Sequence, residues 1–151
     1  MGSVQKYKLH QSLGYQLSMA SRIQERRLDE GLKLLGLTRI SWCVLLAVGN
    51  EGLEHPSEIA QFVGIDRTAT SRVLRQMEAA GMIARSTGKS DRRMTSVRLT
   101  RAGNDALARG TPYAEDNNHI MAQRLSTDEL DQLRALLEKV REGEDVPLSG
   151  L

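Results

Sequence analysis

Apolar residues recur at helical spacing from about Tyr7 to Leu35: Leu9, Leu13, Leu17, Ala20, Ile23, Leu28, Leu32 and Leu35. No proline interrupts the run, and Gly36 stands where a helix would end. At roughly 1.5 Å per residue such a helix reaches about 40 Å, more than a compact domain of this size needs. The surplus length predicts packing against something else, such as a second copy of the chain. A second helix is expected after Thr38, a good N-cap, with Ile40, Val44, Leu45, Ala47 and Val48 leading to Gly49-Asn50.

Residues 55–81 predict two short helices around a tight bend. Pro56 suits the first helical position and is followed by Ser57-Glu58-Ile59-Ala60-Gln61-Phe62-Val63. Gly64 permits the turn, Ile65 can plug the angle, and Asp66 caps a helix from Arg67 to Ala80 that stops at Gly81. This order is a helix-turn-helix. Two strands are expected next, Met82–Ser86 and Ser96–Thr100, around the polar tip Thr87-Gly88-Lys89-Ser90-Asp91-Arg92-Arg93. Val97 and Leu99 alternate with Ser96 and Arg98, the period of a half-buried strand. A hairpin after a helix-turn-helix makes a winged helix.

Thr100 can cap another long helix through Ala106, Leu107, Tyr113, Ala114, Met121 and Leu125, which Gly110 and Pro112 should bend or break. Ser126 and Glu129 form a capping box for a last helix with the stripe Leu130, Leu133, Leu136, Leu137 and Val140. The polar tail from Gly143 contains Pro147 and is expected to fray. The fold class is therefore mainly α with a small β-hairpin wing. A winged helix-turn-helix region, 37–100, is flanked by an N-terminal helix in 1–36 and C-terminal helices in 101–142, with a tail at 143–151.

Composition sharpens this. Aromatic residues are only 3% of a chain that is 40% apolar, so aliphatic side chains must fill the interior, which suits packed helices. The net charge of +2 hides an uneven distribution. Residues 55–101 carry 9 basic and 4 acidic side chains, whereas residues 102–151 carry 5 and 10. A polyanion would therefore meet the middle of the chain. No apolar run reaches the roughly 18 residues of a membrane span, and the N-terminus has no apolar leader. Cys43 is the single cysteine, which precludes an internal disulfide and fits a reducing cytoplasm.

The segment from Gly36-Leu37-Thr38 to Gly103 resembles the MarR family of bacterial regulators. The similarity runs through Ser57-Glu58-Ile59-Ala60, Asp66-Arg67-Thr68-Ala69-Thr70-Ser71-Arg72-Val73-Leu74 and Met77-Glu78-Ala79-Ala80-Gly81-Met82-Ile83. It continues through the wing pattern Asp91, Arg93, Val97, Leu99 and Thr100. The resemblance implies a homodimer whose N- and C-terminal helices interlock, with two winged lobes on a pseudo-palindromic operator. It also implies a repressor released by a small, often aromatic and anionic, effector bound between the dimer helices and the winged helix.

On that basis the recognition helix packs Thr70, Val73, Leu74 and Met77 inward and keeps its other face for double-stranded DNA. Thr68, Ala69 and Arg72, on the first turns, are the candidates for base edges, with Arg72 able to give two donors to guanine. Arg67, Ser71, Arg75 and Gln76 suit phosphates. In the wing, Lys89 and Arg92 also suit phosphates, and Arg93 matches the family arginine that enters the minor groove. Tyr15, Arg22, Trp42, Tyr113 and His119 are the effector-site candidates, offering ring faces and polar hooks.

Other functions have less support. Peroxide sensing in the family uses a cysteine near the start of the first helix, where this chain has none, while Cys43 sits among apolar neighbours that blunt a thiol. His10, His55 and His119 lack the spacing of a zinc motif, so no metal or cofactor is expected. No nucleophile-and-base motif or phosphate loop points to an enzyme. The alternative is a winged helix that binds protein and has no operator, against which stands the basic, hydroxyl-rich start of the recognition helix.

Overall fold

The computed structural model describes residues 5–88 and 94–144. A single 3-10 turn at Leu9–Gln11 precedes α1 (Leu13–Lys33), followed by α2 (Arg39–Gly49), α3 (Pro56–Val63) and α4 (Arg67–Ala79). The hairpin strands β1 (Ile83–Thr87) and β2 (Thr95–Leu99) come next, then α5 (Arg101–Ala122) and α6 (Thr127–Arg141).

Local chemistry sets most of these boundaries. Ser12, Thr38, Asp66, Thr100 and Ser126 each accept a first-turn backbone N–H at the start of α1, α2, α4, α5 and α6. Each such cap is worth about 1 kcal/mol. The first helix begins at Leu13 and not at Tyr7, because Ser12 caps there and its hydroxyl also bonds the Leu9 carbonyl at 2.6 Å. At 21 residues α1 spans about 32 Å, shorter than the periodicity suggested. The strands lie one residue off the predicted bounds, at Ile83–Thr87 and Thr95–Leu99, paired Ile83 with Leu99 and Thr87 with Thr95.

The predicted break in α5 does not occur. The helix runs unbroken through Gly110 and Pro112. Proline removes one N–H, but the carbonyl left without it belongs to Ala108 on the exposed face, where water can serve it. Gly110 is there for proximity: a Cβ on it would lie 2.6 Å from the Trp42 ring. The same logic holds at Gly31 of α1, whose Cβ would meet Tyr113 of α5 at 2.5 Å. These two glycines let α5 lie close against α2 and α1.

The core is that of the winged helix. Leu45 and Val44 of α2, Ile59 of α3, Leu74 and Met77 of α4, Ile83 and Val97 of the hairpin, and Ile65 from the bend are all buried together. Gly64 holds the bend in the left-handed region at φ 81°, which only glycine adopts freely, and so drops Ile65 into that core. The hairpin is fastened at its base. Val97 donates its N–H to the Glu54 carbonyl at 2.7 Å, and Thr100 donates to the Gly81 and Met82 carbonyls. Outside the core, Asn117 of α5 is buried and bridges to α1, accepting from Arg27 at 3.1 Å and donating to Gln24 at 3.3 Å.

Candidate nucleic-acid interface

The start of α4 is fixed from within. Asp66 accepts from the Ala69 N–H at 2.7 Å, and Thr70 returns its hydroxyl to the Asp66 carbonyl at 2.7 Å. Thr70, Val73, Leu74 and Met77 are buried, as the helical phase predicts. That leaves Arg67, Thr68, Ser71, Arg72, Arg75 and Gln76 exposed on one face, with Ala69 half-buried at its edge. The structure thus gathers all seven recognition-helix candidates on or beside a single surface. Lys89, Arg92 and Arg93, and with them Asp91, lie outside the described residues, as does most of the tail.

A feature absent from the sequence reading ties α4 to the wing. Arg85 of β1 grips both carboxylate oxygens of Glu78, at 2.8 and 3.2 Å. The hydrogen bond from Arg85 holds the Glu78 carboxyl below its usual range, and the same bond raises Arg85. The two residues are seven apart across the Gly81 turn, a spacing no local pattern singles out. Arg39 at the start of α2 is similarly held to α1, by Glu25 at 3.0 Å and Asp29 at 2.9 Å.

Two concavities flank α4. One, of about 520 Å³, lies between the end of α1, the start of α2 and one flank of α4; its lining includes Asp29, Lys33, Leu37, Arg39, Arg72 and Gln76. The other, of about 510 Å³, lies between α3, α4 and the hairpin and includes His55, Ser57, Glu58, Arg67, Ser71 and Arg85.

The five effector-site candidates line neither of these. Trp42 is closed off against Gly110 at 4% exposure, which makes it a core residue. Tyr113 packs on Gly31, and Tyr15 meets His10 edge-on at 4.8 Å. Arg22 borders a shallow groove with Glu25 and Arg26 on the outer side of α1, and His119 is exposed on α5. Burial raises the Cys43 thiol, and nearby Arg39 only partly offsets it, so Cys43 is a poor nucleophile at neutral pH. Among the described residues no three His, Cys, Asp or Glu side chains gather as metal ligands, and no helix is long and apolar enough to cross a membrane.

Two helices at a glycine bend, a capped basic helix and a hairpin fastened beside it define a winged helix-turn-helix protein. Comparison with known proteins places it further. The MarR family's sequence model matches residues 35–94, from the end of α1 into the wing. A MarR mutant from E. coli complexed with operator DNA superposes with a TM-score of 0.76 at 26% identity, over 85% of this chain and 92% of that one. BpsR of Bordetella bronchiseptica, whose DNA binding is regulated by 6-hydroxynicotinic acid, gives 0.82 at 22% identity over 92% and 99%. MepR of S. aureus in complex with DNA gives 0.79 at 23% over 85% and 96%. The chain thus has the winged-helix fold of MarR-family DNA-binding transcription regulators, and its residues 35–94 match that family's model.

Proposed function

We propose that this protein is a cytoplasmic homodimeric repressor that binds a pseudo-palindromic operator and leaves it when a small anionic molecule binds. The observation that carries the operator reading is the α4 face: four side chains of one phase are buried, and the opposite phase presents three arginines, two hydroxyls and Gln76. Thr68, Ala69 and Arg72 are assigned to base edges and Arg67, Ser71, Arg75 and Gln76 to phosphates, with Lys89, Arg92 and Arg93 as the wing contacts.

The dimer reading rests on apolar side chains left exposed among the described residues. Leu9, Leu13 and Ile23 near the N-terminus and Leu133, Leu136, Leu137 and Val140 of α6 are exposed by 37–61%. Residues 1–36 and 101–142 are accordingly assigned to dimerisation. A second copy covering them would place two recognition helices on one duplex, as operators of two half-sites require.

The effector reading rests on the concavity behind α4. Its apolar wall and the cations Lys33 and Arg72 suit a small amphipathic anion, while the third cation, Arg39, is already paired with Glu25 and with Asp29 of the same lining. Arg72 belongs both to that lining and to the proposed base-reading set, so a ligand drawing it inward would take it from the groove. Tyr15, Arg22, Trp42, Tyr113 and His119, the candidates for a site between the dimer helices and the winged helix, do not line this concavity.

The test is selection of duplexes from a random library, followed by titration of the selected duplex with wild type and Arg72→Ala. Loss of one good base contact costs on the order of 1–3 kcal/mol per site and relaxes sequence preference at one position in each half-site. Unchanged affinity and unchanged preference would remove Arg72 from the interface.

A further inference from the structure

The concavity between α3, α4 and the hairpin contains a histidine that neither the recognition helix nor the wing accounts for. His55 lines it with Ser57, Glu58, Arg67, Ser71 and Arg85. The imidazole Nδ1 lies 3.4 Å from the Thr95 carbonyl oxygen of β2. A carbonyl can only accept, so a hydrogen bond at this contact requires the hydrogen on Nδ1. The other nitrogen, Nε2, is then a bare acceptor in the neutral ring and a donor only in the protonated one.

Charge counting shows why this matters. Of the lining side chains, Arg67 and Arg85 are positive and Glu58 is negative. The Arg85 charge is already engaged by Glu78 across two hydrogen bonds. Glu54, next to His55 in the chain, is exposed and gives its backbone carbonyl to Val97. Arg67 against Glu58 therefore leaves the described part of the cleft near neutrality, and a proton on His55 decides whether it is positive. The hydroxyls of Ser57 and Ser71 supply further donors on the two facing helices. Arg67 and Ser71 are also on the proposed DNA face, so a duplex lying on α4 brings its backbone to the mouth of this cleft.

We propose that the cleft seats one operator phosphate per protomer, and that His55 is a DNA-contacting residue which holds that phosphate through Nε2 in its protonated form. The inference rests on the operator reading above. Binding then takes up a proton at each cleft. The linkage sign follows: affinity is full where the imidazole is protonated in free protein and falls as pH rises through the titration of the bound form.

The test uses the full chain and a labelled duplex that the protein itself selects from a random library, titrated by fluorescence anisotropy from pH 5.5 to 8.0 at fixed salt. Wild type is expected to lose about tenfold in affinity across that range for the two clefts together, the size of effect expected for phosphate contacts. His55→Gln should start weaker at pH 5.5 and lack this component. His55→Lys, a permanent cation, should stay tight to pH 8.0. The slope of log affinity against log salt should be steeper at pH 5.5 than at 8.0 by about one per cleft in wild type, and unchanged with pH in His55→Gln. Thermal melting of the variants within a few degrees of wild type would show that the hairpin stays seated without the Thr95 contact. A well-folded His55→Gln with wild-type pH dependence and salt slopes overturns the proposal. Recovery of no duplex at any pH would overturn the operator reading beneath it.

Discussion

The two halves of this chain use their apolar residues in opposite ways. Between Leu37 and Val97 nearly every large aliphatic side chain on an inner face is closed into one core, with Val44, Leu45, Ala47, Ile59 and Val97 fully buried. In α6 a stripe of equal regularity, Leu133, Leu136, Leu137 and Val140, faces outward, and the helix has no buried residue at all. The residues that α5 does bury are small or polar: Gly103, Ala106, Gly110 and Asn117. Periodicity is the same in both halves; what differs is whether the chain itself supplies the opposing surface. On the dimer proposed above, this exposed stripe is half of an interface, and burying its four aliphatic side chains would contribute several kcal/mol.

The comparison breaks most sharply under core truncation. Leu74 is 1% exposed beneath the basic outer side of α4. Leu74→Ala should cost about 2–5 kcal/mol, read by urea denaturation, because it leaves a cavity as well as losing burial. A cost near zero would mean that the winged half is not the self-sufficient unit its packing indicates.

The smaller effect lies at the unburied end. Ser126 and Glu129 cap α6 reciprocally, at 3.1 and 2.9 Å. Ser126→Ala should cost about 1 kcal/mol of local helix stability, seen as faster amide exchange in the first turn of α6 with the core amides unaffected. The backbone N–H of Ser126 holds the Glu129 carboxyl below its usual range. Its share of the cap is therefore fully present above the ordinary glutamate pKa of about 4.3 and is lost as pH falls through the depressed value. Exchange at the Ser126 amide followed down the pH scale would check this. Protection already lost at pH 6 would contradict it.

Much of this architecture can be read along the chain, because its signals are short-range. Thr38, Asp66, Thr100 and Ser126 announce helix starts by chemistry that acts within three residues, and the phase of Thr70, Val73, Leu74 and Met77 gives the outer face of α4 directly. Where reading failed, the deciding contact was distant. Pro112 looks like a break until Ala108 is seen to face water. The contact of Trp42 with Gly110, sixty-eight positions on, likewise lies beyond any local pattern. The cleft around His55 draws on α3, α4 and both strands, so no window of sequence contains it. Glu78 and Arg85 meet only because the Gly81 turn folds β1 back beside α4.

The central claim is that two chains, joined through their end helices, present two copies of α4 to one duplex. Sedimentation velocity of wild type and of Leu136→Glu with Val140→Glu, alone and with the selected duplex, tests it most directly. The account predicts a wild-type dimer that binds as two chains per duplex, and a doubly substituted chain that sediments as a monomer while keeping the wild-type helical signal. Wild type that stays monomeric through the micromolar range and binds as one chain per duplex would contradict it.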